Sequence, residues 1–232
     1  MITLRRAQDR GHFDFGWLDT RHTFSFGEYF DPEHSGFRAL RVLNEDRVQP
    51  GKGFGTHSHR DMEILTWVIS GALAHGDSLG TRGVIRPGEV QLMSAGTGIR
   101  HSETNPSDAE PVHFLQIWIV PASEGLPPRY DQKMFPEADL KNRLRLIAGP
   151  EAEEGAAKVV QDVKIYAARL DPGAEVRADL AAGRAGFLHV ASGTVSLQGA
   201  ALRAGDGARI EGEPSVAVIG ETAAEILFFD LA

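Results

Sequence analysis

The chain repeats itself. Pro50-Gly51 recurs as Pro172-Gly173, and twenty residues beyond each of these glycines stands another glycine preceded by serine, in Ser70-Gly71 and Ser192-Gly193. The apolar stretches just before match as well, Trp67-Val-Ile69 against His189-Val-Ala191. Further on, Ile85-Arg-Pro-Gly88-Glu89 matches Leu202-Arg-Ala-Gly205-Asp206. Such a repeat means one supersecondary unit used twice. Inside each copy, short apolar runs alternate with Gly, Pro and Asp turns, the pattern of sandwiches and barrels. The expected fold is all-β: two tandem antiparallel β-barrels of jelly-roll type. Residues 1–125 form the first and 146–232 the second. Between them, 126–145 is a linker marked by Pro127-Pro128 and Pro136, with a short connecting helix near 137–142.

The copies differ where chemistry is concentrated. In the first, Gly51 is followed after five residues by His57-Ser-His59, and about forty residues on stands His101-Ser-Glu103. Residues i and i+2 of a strand share a face about 7 Å apart. Two such pairs on facing strands would aim three imidazoles and a carboxylate at one point, a donor set for a divalent metal. In the second copy, Gly173 is followed after five residues by Asp179-Leu-Ala181, and nothing stands for the later pair. The fold therefore does not need these histidines, which favours a functional role over a structural one. Glu63 is a rival carboxylate, at i+4 from His59: a ligand, an acceptor orienting an imidazole, or a buried acid. His75 either reaches the same cavity or is an ordinary strand histidine, with the latter favoured, and Asn105 is read as a turn cap. His113 and His189 are read as satisfied core residues, and His22 and His34 as structural or exposed. The aromatics Phe13, Phe15, Trp17, Phe24, Phe26, Tyr29 and Phe30 are expected to fill a β core.

Composition narrows the options. A net charge of −8 argues against nonspecific binding to nucleic acid or anionic membranes. No apolar run reaches transmembrane length, and the first residues lack the apolar core of a signal peptide. Cysteine is absent, so any metal has nitrogen and oxygen ligands, and a cytoplasmic location is expected.

The residues resemble the cupin superfamily and, within it, the pirin family. The cupin motif Gly-x5-His-x-His-x3-Glu stands as Gly51 through Glu63. The pirin-like stretches are more specific and cover nearly the whole first half: WLDTRHTFSFGEYFDP, LRVLNEDRVQPGKGFGTHSHRDMEILTWVISG, AHGDSLG and GEVQLMSAGTGIRHSETNP. The second half more loosely resembles the degenerate second cupin of bacterial pirin-like quercetinases. The resemblance implies a bicupin monomer with metal ligands His57, His59, His101 and Glu103, and displaces Glu63 from the metal. The implied metal is Fe(II), with Mn, Ni, Cu or Zn also compatible. The implied activity is quercetin 2,3-dioxygenase-like cleavage of a flavonol by dioxygen, with Glu103 as general base. The alternative is a non-enzymatic, metal- or redox-sensing regulator that binds a protein partner.

Overall fold

A computed structural model describes residues 1–232. The chain divides into two compact units. One comprises Gly11–Met134 with residues 157–161; the other comprises Met1–Arg10, Phe135–Ala156 and residues 162–232. Both are open jelly-roll sandwiches rather than closed barrels, each with a long and a four-stranded antiparallel sheet. No helix is long and apolar enough to cross a membrane. The one α-helix, Glu137–Leu140, is a single turn.

In the first unit the long sheet has seven strands. Their order is Arg129–Met134, Glu89–Ser94, Glu63–Ser70, Val112–Ile119, Leu40–Val48, Leu18–His22 and Gly11–Asp14. The short sheet runs Gly53–His59, Ile99–Thr104, Leu73–Asp77 and Arg82–Ile85. Arg129–Met134 lies in the stretch read as linker, yet it pairs along its whole length with Glu89–Ser94. Its polar sequence, Arg-Tyr-Asp-Gln-Lys-Met, suits a sheet edge and hides it from a hydrophobicity reading.

Register between the long-sheet strands sorts the interior into rows. Ile64 pairs with Trp118 and Met93, and Val68 with Phe114. These flank two apolar clusters, one containing Ile64, Met93 and Ile99, the other Val68, Phe114, Leu73 and Ile85. Between them lies a polar row, one residue per strand: Gln91 opposite Thr66, Thr66 opposite Gln116, Gln116 opposite Asn44, and Asn44 opposite His22.

The second unit repeats the plan with other contents. Its short sheet runs Glu175–Asp179, Ser215–Gly220, Thr194–Leu197 and Ala200–Arg203, the same connectivity as in the first. Val176, Ala178, Val216 and Val218 of this sheet are buried in one apolar cluster with Leu188, Val190, Ile226 and Phe228. The unit's long sheet also takes in Ile2–Arg5, paired with Gly207–Glu211.

The glycines before His57 serve different ends. Gly51 has φ +67° and makes the turn. At Gly53 the constraint is space: a Cβ would stand 2.2 Å from the Glu103 carbonyl oxygen and 2.5 Å from Thr104 Cα. A Cβ on Gly55 would meet nothing within 4 Å. Gly53→Ala is therefore expected to destabilise the protein by roughly 1–3 kcal/mol, the usual cost of forcing atoms into packed structure. Gly55→Ala should be near neutral; equal thermal midpoints for the two variants would contradict this reading.

Candidate metal centre

Two neighbouring strands of the short sheet carry the paired polar residues. His101 lies directly opposite His57, and His59 opposite Ile99. Between His101 and Glu103 the register shifts, so that Glu103 faces Phe54. This bulge places an extra residue on the Gly53–His59 strand, and bulges re-aim side chains. Its local product is a hydrogen bond of 2.8 Å between His57 Nδ1 and the Gly55 carbonyl oxygen. A carbonyl only accepts, so Nδ1 carries the proton and Nε2 keeps its lone pair. The rings of His57, His59 and His101 lie 4.4–4.9 Å apart, and a ligand atom from each falls within 4.8 Å of the others.

His101 is backed by a chain of partners. His75 Nε2 stands 3.1 Å from Asp77 Oδ2, so it is the protonated nitrogen. His75 Nδ1 then accepts from Gln91 Nε2 at 3.3 Å and faces His101 Nδ1 at 3.5 Å. With its Nδ1 turned to His75, His101 keeps the lone pair of Nε2, and this buried atom has no hydrogen-bond partner. An orphaned, unprotonated imidazole nitrogen beside two other imidazoles fits a divalent cation better than it fits a bare protein interior. His75 thus buttresses the centre and is not an ordinary strand histidine. His75, His101 and Glu103 form a second group of metal-capable atoms within 4.8 Å.

The polar row of the long sheet is the floor of the site. Gln116 Nε2 donates to Glu103 Oε2 at 3.0 Å, and Thr66 Oγ1 donates to Gln116 Oε1 at 2.9 Å. Burial raises the Glu103 carboxyl to about 7 against the pull of the Gln116 bond, with Asp46 adding repulsion. Burial holds His59 down to about 4, helped by repulsion from His57. It holds His101 down to about 3, helped by His57, His59 and His75. At neutral pH both imidazoles offer lone pairs.

His57, His59 and Glu103 line a cavity of about 230 Å³ together with Trp118, Phe26 and Asn44. Glu63 is elsewhere. The first strand ends at His59 and the next begins at Glu63 in the other sheet, so their i+4 spacing does not put them on one face. Glu63 is buried, accepting from Ser94 Oγ at 3.0 Å and Val160 N at 3.3 Å, with Arg129 Nη2 at 3.5 Å. Asn105 caps its turn, its side chain accepting from Ser107 N and donating to the Val48 and Glu110 carbonyls. His113 pairs with Glu45 at 2.9 Å. The aromatic expectation is met only in part. Phe24 is buried, but Phe15 and Phe30 are 57% and 77% exposed, and Phe13, Phe15 and Phe26 line a cavity.

Sequence reasoning missed Thr66, Gln91, Gln116, Asn44, Asp46 and Asp77. The available signal was a single polar residue inside each apolar run, in Ile-Leu-Thr66-Trp, Glu-Val-Gln91-Leu and Phe-Leu-Gln116-Ile.

Comparison with known proteins agrees with this geometry. A family model described as Pirin matches residues 3–119. Another, described as the quercetinase C-terminal cupin domain, matches residues 146–231. The chain is 45% identical to quercetin 2,3-dioxygenase of Escherichia coli (strain K12), covering 100% of this chain and 99% of the relative. Among solved structures it is similar to YhhW from Escherichia coli, with a TM-score of 0.96 and 44% identity over 100% of this chain and 98% of that one. The nickel(II) complex of bacterial pirin YhhW has a TM-score of 0.94 at 44% identity, covering 100% of this chain and 99% of the other. The centre is a site for a divalent metal ion.

With Glu103 as a ligand, a proton on it would compete with the cation below pH 7, and the free carboxylate would be available above it. Nickel affinity, measured by calorimetry, is therefore expected to fall about ten-fold from pH 8 to pH 6. Glu103→Gln should lower the affinity and flatten this dependence. A wild-type affinity that does not change across the window would refute the assignment.

Proposed function

The chain belongs to the pirin family, and from that premise we propose that it is a metal-dependent dioxygenase that cleaves a flavonol of the quercetin type. The observation that carries the reading is the three-imidazole set, two members of which, His57 and His59, line one cavity with the Glu103 carboxyl. The full-length likeness to quercetin 2,3-dioxygenase supports it. In this reading His57, His59, His101 and Glu103 hold the metal, Fe(II) in the native protein, and the first unit alone carries the centre. The second unit is a degenerate copy, its corresponding sheet given over to valine and alanine. The protein acts as a cytoplasmic monomer.

When bound, the metal supplies Lewis acidity toward the substrate's hydroxyl and carbonyl oxygens and the redox capacity that dioxygen chemistry requires. The protein's own groups do the rest. Glu103 takes the proton of the flavonol 3-hydroxyl. Gln116 Nε2 holds Oε2 of that carboxylate, so the base keeps its position as its charge changes. His57 is fixed by Gly55 and His101 is backed by His75, so neither ring must reorganise when the substrate arrives. Trp118, whose ring stands edge-on to His59 at 4.9 Å and to Phe26 at 5.2 Å, forms an apolar part of the cavity wall.

Metal-loaded protein is expected to consume quercetin and dioxygen with release of carbon monoxide. His57→Ala should abolish turnover, and Glu103→Gln should lower kcat by about 10²–10⁴-fold, the range for losing a general base. Equal turnover by the metal-free protein would overturn the proposal.

A further inference from the structure

The metal cavity has a neighbour. A second chamber of about 310 Å³ is lined by Phe13, Phe15, Phe26, Phe54 and Leu18 and shares Phe26, Phe54, Asn44 and Asp46 with the cavity beside the histidines. The rings of Phe13 and Phe15 are stacked with centroids 6.0 Å apart and planes within 6° of parallel. Flat apolar walls of this kind accept a flat aromatic ring. The two spaces meet at Asn44 and Asp46, which lie on one face of the Leu40–Val48 strand two residues apart.

Asn44 stands out among these lining residues. It is only 4% exposed, and its Oδ1 is buried without a hydrogen-bond partner. Its two neighbours in the polar row do not satisfy it: the Gln116 amide nitrogen is given to Glu103, and no hydrogen bond reaches Oδ1 from His22 on the other side. A buried acceptor left unpaired is destabilising, and in a binding cavity it marks where a ligand donor belongs.

We propose that this chamber is the subsite for the ring of the substrate that lies away from the metal, and that Asn44 Oδ1 accepts a hydrogen bond from a hydroxyl on that ring. The inference rests on the flavonol reading and deepens it. The site then selects polyhydroxylated aromatic compounds with oxygen atoms at both ends: one end faces the histidines, and the other presents a donor to Asn44. An analogue without that hydroxyl leaves Oδ1 unpaired and also loses the donor's own bond, so hydrogen-bonding sites discriminate strongly against such compounds. Asn44 is a specificity-determining residue in this scheme. It moves no proton of the reaction.

The test uses nickel-loaded protein without dioxygen, and calorimetry with two flavonols: quercetin, and galangin, which lacks the hydroxyls of the pendant ring. Wild type is expected to bind quercetin about ten-fold or more tightly than galangin. Asn44→Leu should bring the two within about two-fold, mainly by weakening quercetin, with nickel content and thermal midpoint not reduced. Asn44→Ser provides a second variant with a shorter side chain, and it should also narrow the preference. If wild type binds both flavonols equally, or if either folded variant keeps the full preference, the inference is overturned and the proposed function stands. If wild type binds neither flavonol, the proposed function itself falls, an outcome separable from the other two.

Discussion

The first unit depends on a row of polar side chains laid across the middle of a buried sheet. Gln91, Thr66, Gln116 and Asn44 come from four strands and meet only because the strands pair in one register. Shifting any strand by one residue would turn its polar member to the opposite face. Unpaired amides and hydroxyls in such a place would each destabilise the fold by about 1–3 kcal/mol. The row escapes much of that penalty by giving its hydrogen bonds to the opposite sheet: Gln116 to Glu103, and Gln91 to His75. Holding the Glu103 carboxyl and orienting the histidine behind His101 are thus the same interactions that make the row tolerable. The apolar clusters on either side supply the stability that the row does not.

The second unit is the comparison that isolates this effect. It has the same short-sheet connectivity, and the space between its sheets is apolar: Val176, Ala178, Val216 and Val218 meet Leu188, Val190, Ile226 and Phe228. One architecture therefore tolerates either filling. Burial, helped by repulsion among the imidazoles, lowers the pKa values of His59 and His101, and burial raises that of Glu103 against the hydrogen bonds from Gln116 and Thr66, shifts that a purely structural interior has no use for.

Much of this was readable along the chain, and the reasons for the rest are physical. The repeat, the all-β class and the His-x-His and His-x-Glu pairs depend on local spacing, and local spacing survives in a linear reading. The three imidazoles meet as that spacing suggests. The polar row was not readable, because each member is a lone polar residue in an apolar run and acquires meaning only through pairing across strands. Glu63 takes the last of its three readings, the buried acid, for a related reason. Four residues from His59 would share its face on a continuous strand, but the chain turns between them and Glu63 enters the other sheet. His75 looked ordinary because its partners Gln91 and Asp77 come from a different sheet and from two residues further along its own strand. Phe13 and Phe15 alternate as core residues do, yet they line a cavity, since periodicity reports a face and not what lies against it.

The pairing of Ile2–Arg5 with Gly207–Glu211 joins segments about two hundred residues apart. On the ribosome, residues 2–5 emerge long before their partner exists. The second unit therefore cannot complete its long sheet until almost the entire chain has been made, whereas every strand of the first unit's two sheets is available once residue 134 has emerged. Contacts of such sequence separation form late, because the intervening loop must be closed before any reward is gained. The order of synthesis thus favours the unit with the metal centre, which can assemble its ligands while its companion still lacks a strand.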